Sequence, residues 1–248
     1  MKELGERLRA IVDFVDPGSR VADVGCDHAY VSIELAKEKN CTCIAMDIKE
    51  GPLKSAEENI REAEKAAEND SITGKITTRL SDGLTELAAG EVDTILIAGM
   101  GGHLILDILK NGASKIQSGM KLVLSPQSDL RLVRYELRKM NIFIEKERCL
   151  EDGGKWYFVL KCTVGIKPPT PVPDEVARVG MLYGTYLPEH PTEEFRKFLV
   201  WEEQGLKDLL QSLSKQKTPA AKARAGTMKK QLDENRAIQE KISQKIKR

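Results

Sequence analysis

Residues 20–30 read RVADVGCDHAY, and this stretch decides the fold that we expect. Its apolar run, 20–24, is typical of a buried strand, and Gly25 marks the loop that follows the strand. A dinucleotide-binding loop would continue as Gly-x-Gly-x-x-Gly, so that a pyrophosphate can bind at the next helix N-terminus. Here the loop carries a thiol, an acid, an imidazole and a phenol: Cys26, Asp27, His28 and Tyr30.

Apolar runs alternate with amphipathic stretches on the C-terminal side of this loop. Further strands are predicted at 42–48, 76–80, 93–98 and 121–124, and helices at 30–39, 52–65, 102–111 and 129–140. Such alternation indicates βαβ units and a parallel α/β sheet with helices on both faces. The alternating strands 142–149 and 156–164, around a turn at 151–154, predict a terminal antiparallel hairpin.

The C-terminal third has a different character. Prolines at 168, 169, 171 and 173 predict a stiff linker at 166–175, which separates a domain of residues 1–165 from one of residues 176–248. The second domain carries two apolar helical stripes, and Pro219 lies in the turn between them. These features predict a small α-helical, coiled-coil-like hairpin. The stripes consist of Phe195, Phe198, Trp201 or Glu202, Leu206, Leu209 and Leu213, and of Met228, Leu232, Asn235, Ile242 and Ile246.

The formal net charge of +1 hides an asymmetry. Residues 214–248 contain eleven Lys or Arg and three Asp or Glu, an excess of eight positive charges. This excess indicates an anionic partner for the tail, although a solvated, lysine-rich hairpin explains the charge alone equally well.

Composition and cysteine content indicate the cellular location of the protein. With 41% hydrophobic and 31% charged residues and no apolar run of about 20 residues, we expect no membrane partner. Five cysteines without a secretory context predict free thiols and a cytoplasmic location. Cys41 and Cys43 share a strand face, but no other ligand cluster lies nearby, so core packing is favoured and no metal is expected.

Four candidate ligand-binding features follow four successive parallel strands, at the sheet edge where α/β folds bind ligands. Gly25 allows close backbone approach, Asp47 can accept both ribose hydroxyl protons, and Asp82 suits the amine of an adenine. Leu84 is expected to contact the adenine ring, and the glycine-rich run after the fourth strand leaves an open floor. The predicted cofactor-binding residues are Asp23, Gly25, Cys26, Asp47, Ile48, Asp82, Gly83, Leu84, Ala98, Gly99, Met100 and Gly101.

The loop after the first strand also indicates which cofactor binds. Asp27 replaces the second glycine of the dinucleotide pattern, and its carboxylate would repel a pyrophosphate. S-adenosylmethionine fits these residues, because it combines an adenosine and a cationic sulfonium with an amino-acid tail and has no phosphate.

DVGCDHAY, Asp47 with Glu50-Gly51-Pro52, SDGL, AGMGG and EDGGKWY together resemble the bacterial tRNA adenine-N1 methyltransferases that modify adenine 22. The resemblance covers nearly the whole chain. It implies a class I methyltransferase (Rossmann-like) sheet with a C-terminal helical hairpin, S-adenosylmethionine as donor and tRNA as partner. We expect no DNA partner, and a monomer or weak dimer. The chain departs from the family at Ser125-Pro126-Gln127, where Gln-Pro-Asn is usual, so no base-binding role is carried over to Gln127.

By resemblance, Asp27, His28 and Tyr30 lie between cofactor and target base and are the predicted catalytic residues. Asp27 would stabilise the positive charge of the methylated ring or hold the adenine amine. His28 would orient the base or relay a proton, and Tyr30 would stack on it. Structural alternatives stay open: Asp27 as a helix cap, His28 as a hydrogen-bonded structural residue, Tyr30 as core, and Cys26 as a small filler.

Two other functions stay open at this stage. The chain could methylate another RNA, a protein or a small molecule, against which the basic hairpin argues. It could also be a non-catalytic RNA-binding module with a vestigial cofactor fold. The complete set of Gly25, Asp47, Asp82 and AGMGG argues against such decay.

Overall fold

A computed structural model of the chain describes residues 4–67, 71–165 and 181–246. The chain divides into two units, residues 1–172 and 173–248. The predicted proline-rich linker, 166–175, lies outside the described residues, and the domain limits derived from it stay a prediction. Within the described ranges, no helix has both the length and the apolar character needed to cross a membrane.

The first unit is built on one mixed sheet. Its described strands are β1 (Arg20–Val24), β2 (Thr42–Asp47), β3 (Ile76–Leu80), β4 (Thr94–Ala98), β5 (Lys121–Ser125), β6 (Ile142–Asp152) and β7 (Lys155–Val164). They lie in the order β3-β2-β1-β4-β5-β7-β6. Strands β1 to β5 are parallel, and β7 is antiparallel to both β5 and β6. The predicted α/β sheet with its terminal antiparallel hairpin is therefore confirmed.

Helices cover both faces of this sheet because its strand residues alternate between two apolar cores. Val21 and Leu96 face one core, and Ala22 and Ile97 face the other. The first core is closed by α1 (Glu6–Phe14), α2 (Tyr30–Lys39) and α3 (Glu50–Ala66), and the second by α4 (Gly102–Asn111) and α5 (Leu130–Lys139). All five cysteines are free and buried, including Cys41 and Cys43 in the first core.

The hairpin of β6 and β7 extends further than the sequence predicted. The ladder continues to the pair Asp152 and Lys155, so the turn holds only Gly153 and Gly154. Both glycines have positive φ, 59° and 77°. Two such residues satisfy a two-residue hairpin turn of type I′, which leaves Glu151 and Asp152 free to pair within the strand.

The second unit contains α6 (Tyr186–Glu189), α7 (Glu193–Ser214) and α8 (Pro219–Ile246). Helices α7 and α8 pack along a seam whose buried residues are Phe195, Leu199, Leu206, Leu213, Ala221, Leu232, Asn235, Ile238 and Ile242. Asn235 donates a hydrogen bond to the Leu199 carbonyl at 3.1 Å and another to Glu202 at 2.9 Å, which fixes the register of the pair. Trp201, predicted in the apolar stripe, is instead 59% exposed. The side chain of Ile246 lies outside the described part of the chain.

Candidate active site

A cavity of about 520 Å³ lies at the carboxyl ends of β1, β2 and β4. Strand order reverses between β1 and β4, and such a switch point opens a crevice for ligands in α/β sheets. Most of the predicted site residues line this cavity: Asp23, Gly25, Cys26, Asp27, His28, Tyr30, Asp47, Ile48, Ala98, Gly99 and Met100.

Four predicted residues do not line the cavity. Ser81 donates a hydrogen bond to the Gly83 carbonyl at 2.9 Å and accepts one from the Glu86 N–H at 3.3 Å, which closes the loop after β3 into a tight turn. This turn directs Leu84 into the core, where it is 1% exposed, so the expected ring contact by Leu84 is corrected to a core role. Asp82 is exposed outside the cavity. The others are Gly83, beside Ile108, and Gly101, beside Ser128.

Gly25 is required by the backbone of the loop after β1. Its φ is +74°, in the left-handed region, and its N–H donates to the Met46 carbonyl at 2.8 Å. A Cβ atom at position 25 would lie 2.2 Å from the Cε of Met100. The close approach predicted for Gly25 is therefore made, in this structure, by the Met100 side chain.

Asp23 and Cys26 form the buried floor of the cavity. Asp23 accepts a hydrogen bond from the Ser32 hydroxyl at 2.7 Å. Burial raises the pKa of Asp23 to about 6, and the Ser32 hydrogen bond opposes this rise. Burial, reinforced by the charges of Asp23 and Asp47, raises the pKa of the Cys26 thiol. A buried thiol with a raised pKa is a poor nucleophile, which favours the small-filler alternative for Cys26.

Asp27, His28 and Tyr30 form the polar rim of the cavity. The Asp27 side chain is 75% exposed and lies 3.7 Å from His28 Nε2. The rings of His28 and Tyr30 lie 5.5 Å apart, and the His28 carbonyl accepts a hydrogen bond from Asn59 at 3.0 Å. Helix α2 starts after Ala29 without a side-chain cap, so Asp27 does not cap it. Tyr30 is 39% exposed, which excludes a core role.

Three further polar residues line the cavity, Arg7, Lys49 and Gln127, and no role was predicted from the sequence for any of them. The Arg7 guanidinium lies 5.3 Å from the centre of the Tyr157 ring, and the Arg7 N–H donates to Asp152 at 3.4 Å. The Gln127 N–H donates to the Met100 carbonyl at 2.9 Å. The position of Gln127 after β5 was recognised from the sequence without a role being assigned to it, whereas nothing in the local sequence of α1 marks Arg7.

The charges of the cavity suit a cationic ligand that carries hydroxyl groups. Asp23, Asp27 and Asp47 contribute three carboxyl groups, which disfavours a phosphate. The Lys49 N–H donates to Asp47 at 3.0 Å and holds that carboxylate at the end of β2. Arg7 is available for an anionic group. An adenosine with a sulfonium and an amino-acid tail fits this set of residues.

Comparison with known proteins shows the class of protein to which the chain belongs, and then the family within that class. Residues 4–160 match the family described as a methyltransferase domain, which agrees with the Rossmann-like sheet and its terminal hairpin. The chain is also 33% identical over 214 residues to the tRNA (adenine(22)-N(1))-methyltransferase of Bacillus subtilis (strain 168), covering 86% of each protein. The chain therefore belongs to the tRNA (adenine(22)-N(1))-methyltransferase family, which confirms the resemblance noted in its motifs.

Solved structures agree with this assignment over almost the whole chain. The crystal structure of the B. subtilis m1A22 tRNA methyltransferase TrmK is 27% identical, with a TM-score of 0.80, and the match covers 96% of this chain and 99% of that one. Streptococcus pneumoniae Sp1610 in complex with S-adenosyl-L-methionine is 27% identical, with a TM-score of 0.78 and coverage of 96% and 100%.

Proposed function

We propose that this protein transfers a methyl group from S-adenosylmethionine to N1 of adenine 22 in tRNA. The observation that carries the proposal is the cavity at the switch point of the sheet, where Asp47 and Gly99 meet the Asp27, His28 and Tyr30 rim. Membership of the adenine-22 family indicates which reaction is catalysed, and the residues of the cavity indicate how the cofactor and the base are bound.

Asp47 is the proposed ribose-binding residue, and Ile48 the apolar contact beside it. Asp47 is positioned by the Lys49 N–H, and Ile48 is 59% exposed at the cavity. Gly99, with a φ of +78°, lines the cavity without adding a side chain to it. Arg7 is proposed to bind the carboxylate of the amino-acid tail, because it is the arginine that lines this acidic cavity.

When bound, S-adenosylmethionine supplies an electrophilic methyl group. Adenine N1 already has a lone pair, so the residues of the rim need to position the base and exclude water rather than remove a proton before attack. Tyr30 stacks on the base, and His28 orients it. Asp27 stabilises the positive charge that the ring gains, since its carboxylate lies at the exposed rim where the base would enter.

The second unit is proposed to bind tRNA through its basic helices. Residues 214–248 have an excess of eight positive charges, which attract the phosphate backbone at long range. A cytoplasmic location and a monomeric or weakly dimeric state stay predictions.

The test is nucleoside mass spectrometry of unmodified tRNA after incubation with the protein and S-adenosylmethionine. We expect 1-methyladenosine in tRNA that has adenine at position 22 and none when that position holds guanine. Asp27→Asn should lower kcat about tenfold or more and leave cofactor affinity mostly intact, because asparagine tolerates the positive φ of 52° but lacks the charge. Equal methylation of both tRNAs would contradict the proposed target.

A further inference from the structure

Positive charges in the helical hairpin are neutralised unevenly along its length. Arg236 pairs with Glu203 at 2.9 Å, and both Lys241 and Lys245 pair with Glu189. Every Lys or Arg that the structure describes in α8 after residue 230 is thus ion-paired. These charges are partly compensated within the protein, and they contribute less to the attraction of a polyanion.

The described cations at the other end of the hairpin form no ion pair, although Asp233 and Glu234 follow Lys229 and Lys230 by four residues each. Residues 209–232 contain no Asp or Glu and six cations, Lys215, Lys217, Lys222, Arg224, Lys229 and Lys230. Among the described residues, none of these six takes part in an ion pair. All six are exposed. The positive potential of the hairpin is therefore concentrated around the turn between α7 and α8.

Gly226 lies at the centre of three of these lysines. Lys222 precedes it by four residues, and Lys229 and Lys230 follow it by three and four, so all three are its neighbours on the helix surface. A Cβ atom at position 226 would meet no atom within 4 Å. Packing therefore does not require a glycine here, although glycine within a helix is about 1 kcal/mol less favourable than alanine.

We infer that Lys222, Gly226, Lys229 and Lys230 form a phosphate-binding notch, through which the second unit contacts the tRNA backbone. The missing side chain leaves the helix surface open, so that a phosphate can approach between three ammonium groups. Lysine suits this contact because its charge is compact and its three donors rotate freely. The inference rests on the proposed function and narrows the tRNA contact from the whole hairpin to this notch.

The start of α8 adds to the same potential. The Thr218 hydroxyl caps this helix by accepting a hydrogen bond from the Ala221 N–H at 3.1 Å. Lys222 lies in the first turn, where the helix dipole places partial positive charge. A lysine in that position is unfavourable for the stability of the helix itself, which agrees with a role of Lys222 in binding an anionic ligand.

Three full-length variants test the notch. The first replaces Lys222, Lys229 and Lys230 with Gln, and the second, a charge-matched control on the same helix, replaces Arg236, Lys241 and Lys245 with Gln. The third, Gly226→Gln, fills the notch without changing the charge. The measurements are tRNA affinity across a salt series, steady-state methylation of tRNA, and the melting temperature of each variant.

We expect the notch variant to bind tRNA at least about tenfold more weakly at low salt, with a salt slope flatter by about two to three, whereas the control loses much less. The KM of the notch variant for tRNA should rise, whereas its kcat at saturating tRNA should stay the same. Gly226→Gln should weaken tRNA binding without lowering the melting temperature, because it removes a helix-interior glycine. If Gly226→Gln weakened tRNA binding by unfolding the helix, its melting temperature would fall.

The outcomes separate this inference from the proposed function. A wild-type protein that methylates adenine 22, together with notch and control variants of equal affinity and equal salt slope, would overturn the notch alone. A wild-type protein that leaves tRNA unmethylated would overturn the proposed function, and the notch with it.

Discussion

Asp23 makes the stability of the protein depend on pH at the scale of a single residue. Its pKa in the fold is about 6, raised from 3.8 by burial. The folded state then holds a proton that the unfolded state has lost between about pH 4 and 6, so the contribution of Asp23 to stability falls as pH rises through this window.

We therefore expect Asp23→Asn to gain stability relative to wild type, by on the order of 3 kcal/mol, between pH 4 and pH 7. Asparagine keeps an acceptor for the Ser32 hydroxyl but has no charge to bury. Urea unfolding of both proteins at a series of pH values measures the difference. A difference that stays constant across the window would show that Asp23 is ionised without penalty.

Asp47 is a second single residue with a testable role, because we expect it to contribute to cofactor affinity. Asp47→Ala should weaken S-adenosylmethionine binding at least about tenfold, since one charge-assisted hydrogen bond contributes about 1.5 to 3 kcal/mol. Calorimetry measures the affinity, with Asp107→Ala as a control that removes an exposed acid of α4, away from the cavity. Equal affinities of the two variants would remove Asp47 from the site.

At the scale of elements, a buried ion pair joins α5 to the terminal hairpin. Arg134 Nε lies 2.9 Å from Glu147 Oε1, with side chains 2% and 0% exposed. The Arg134 guanidinium also lies 5.6 Å from the Phe158 ring on β7. Gln127 lies in the short loop between β5 and α5. The ion pair therefore fixes the position of the helix that follows this cavity residue.

Arg134→Met should lower the free energy of unfolding by about 3 to 5 kcal/mol, because it removes the guanidinium that pairs with the buried Glu147 carboxylate. The double replacement with Glu147→Leu should recover most of that loss, since two apolar side chains then fill the same space. Urea unfolding of both variants measures this. If the double variant were no more stable than the single one, the arginine would matter for packing rather than charge.

At the scale of the whole molecule, cofactor binding and tRNA binding are expected to reside in separate units. Removal of residues 176–248 should leave S-adenosylmethionine affinity nearly unchanged, because the described residues that line the cavity all lie between 7 and 127. It should weaken tRNA binding and flatten its salt dependence, since eight excess positive charges are lost and attraction is screened beyond about 8 Å at physiological salt.

The measurement pairs cofactor calorimetry with tRNA binding over a salt series, for the full-length and shortened proteins. Equal tRNA affinities and equal salt slopes would show that the hairpin is a solvated surface, and tRNA would then have to contact the first unit. A shortened protein that no longer binds cofactor would show that the two units depend on each other.

The sequence by itself determined the strands, their parallel direction and the terminal hairpin. Alternation of apolar residues is a local signal, and the ends of the five parallel strands follow, to within one residue, from where an apolar run begins and stops. Asp23, Asp47 and Gly99 were found at the cavity because parallel strands bring their carboxyl ends to one edge. The same periodicity predicted six residues of the hairpin seam, Phe195, Leu206, Leu213, Leu232, Asn235 and Ile242. It missed Leu199, Ala221 and Ile238, and it wrongly included Trp201.

Only the tertiary structure decided which side chains share the cavity and which charges stay uncompensated. Arg7 reaches the site because its backbone binds Asp152, 145 residues further along the chain. Leu84 turns into the core, Met100 lies against Gly25, and Glu189 pairs with both Lys241 and Lys245. These contacts depend on how helices and loops dock, which local periodicity does not encode. Local patterns fix elements, whereas packing between distant segments fixes the neighbours of each functional group.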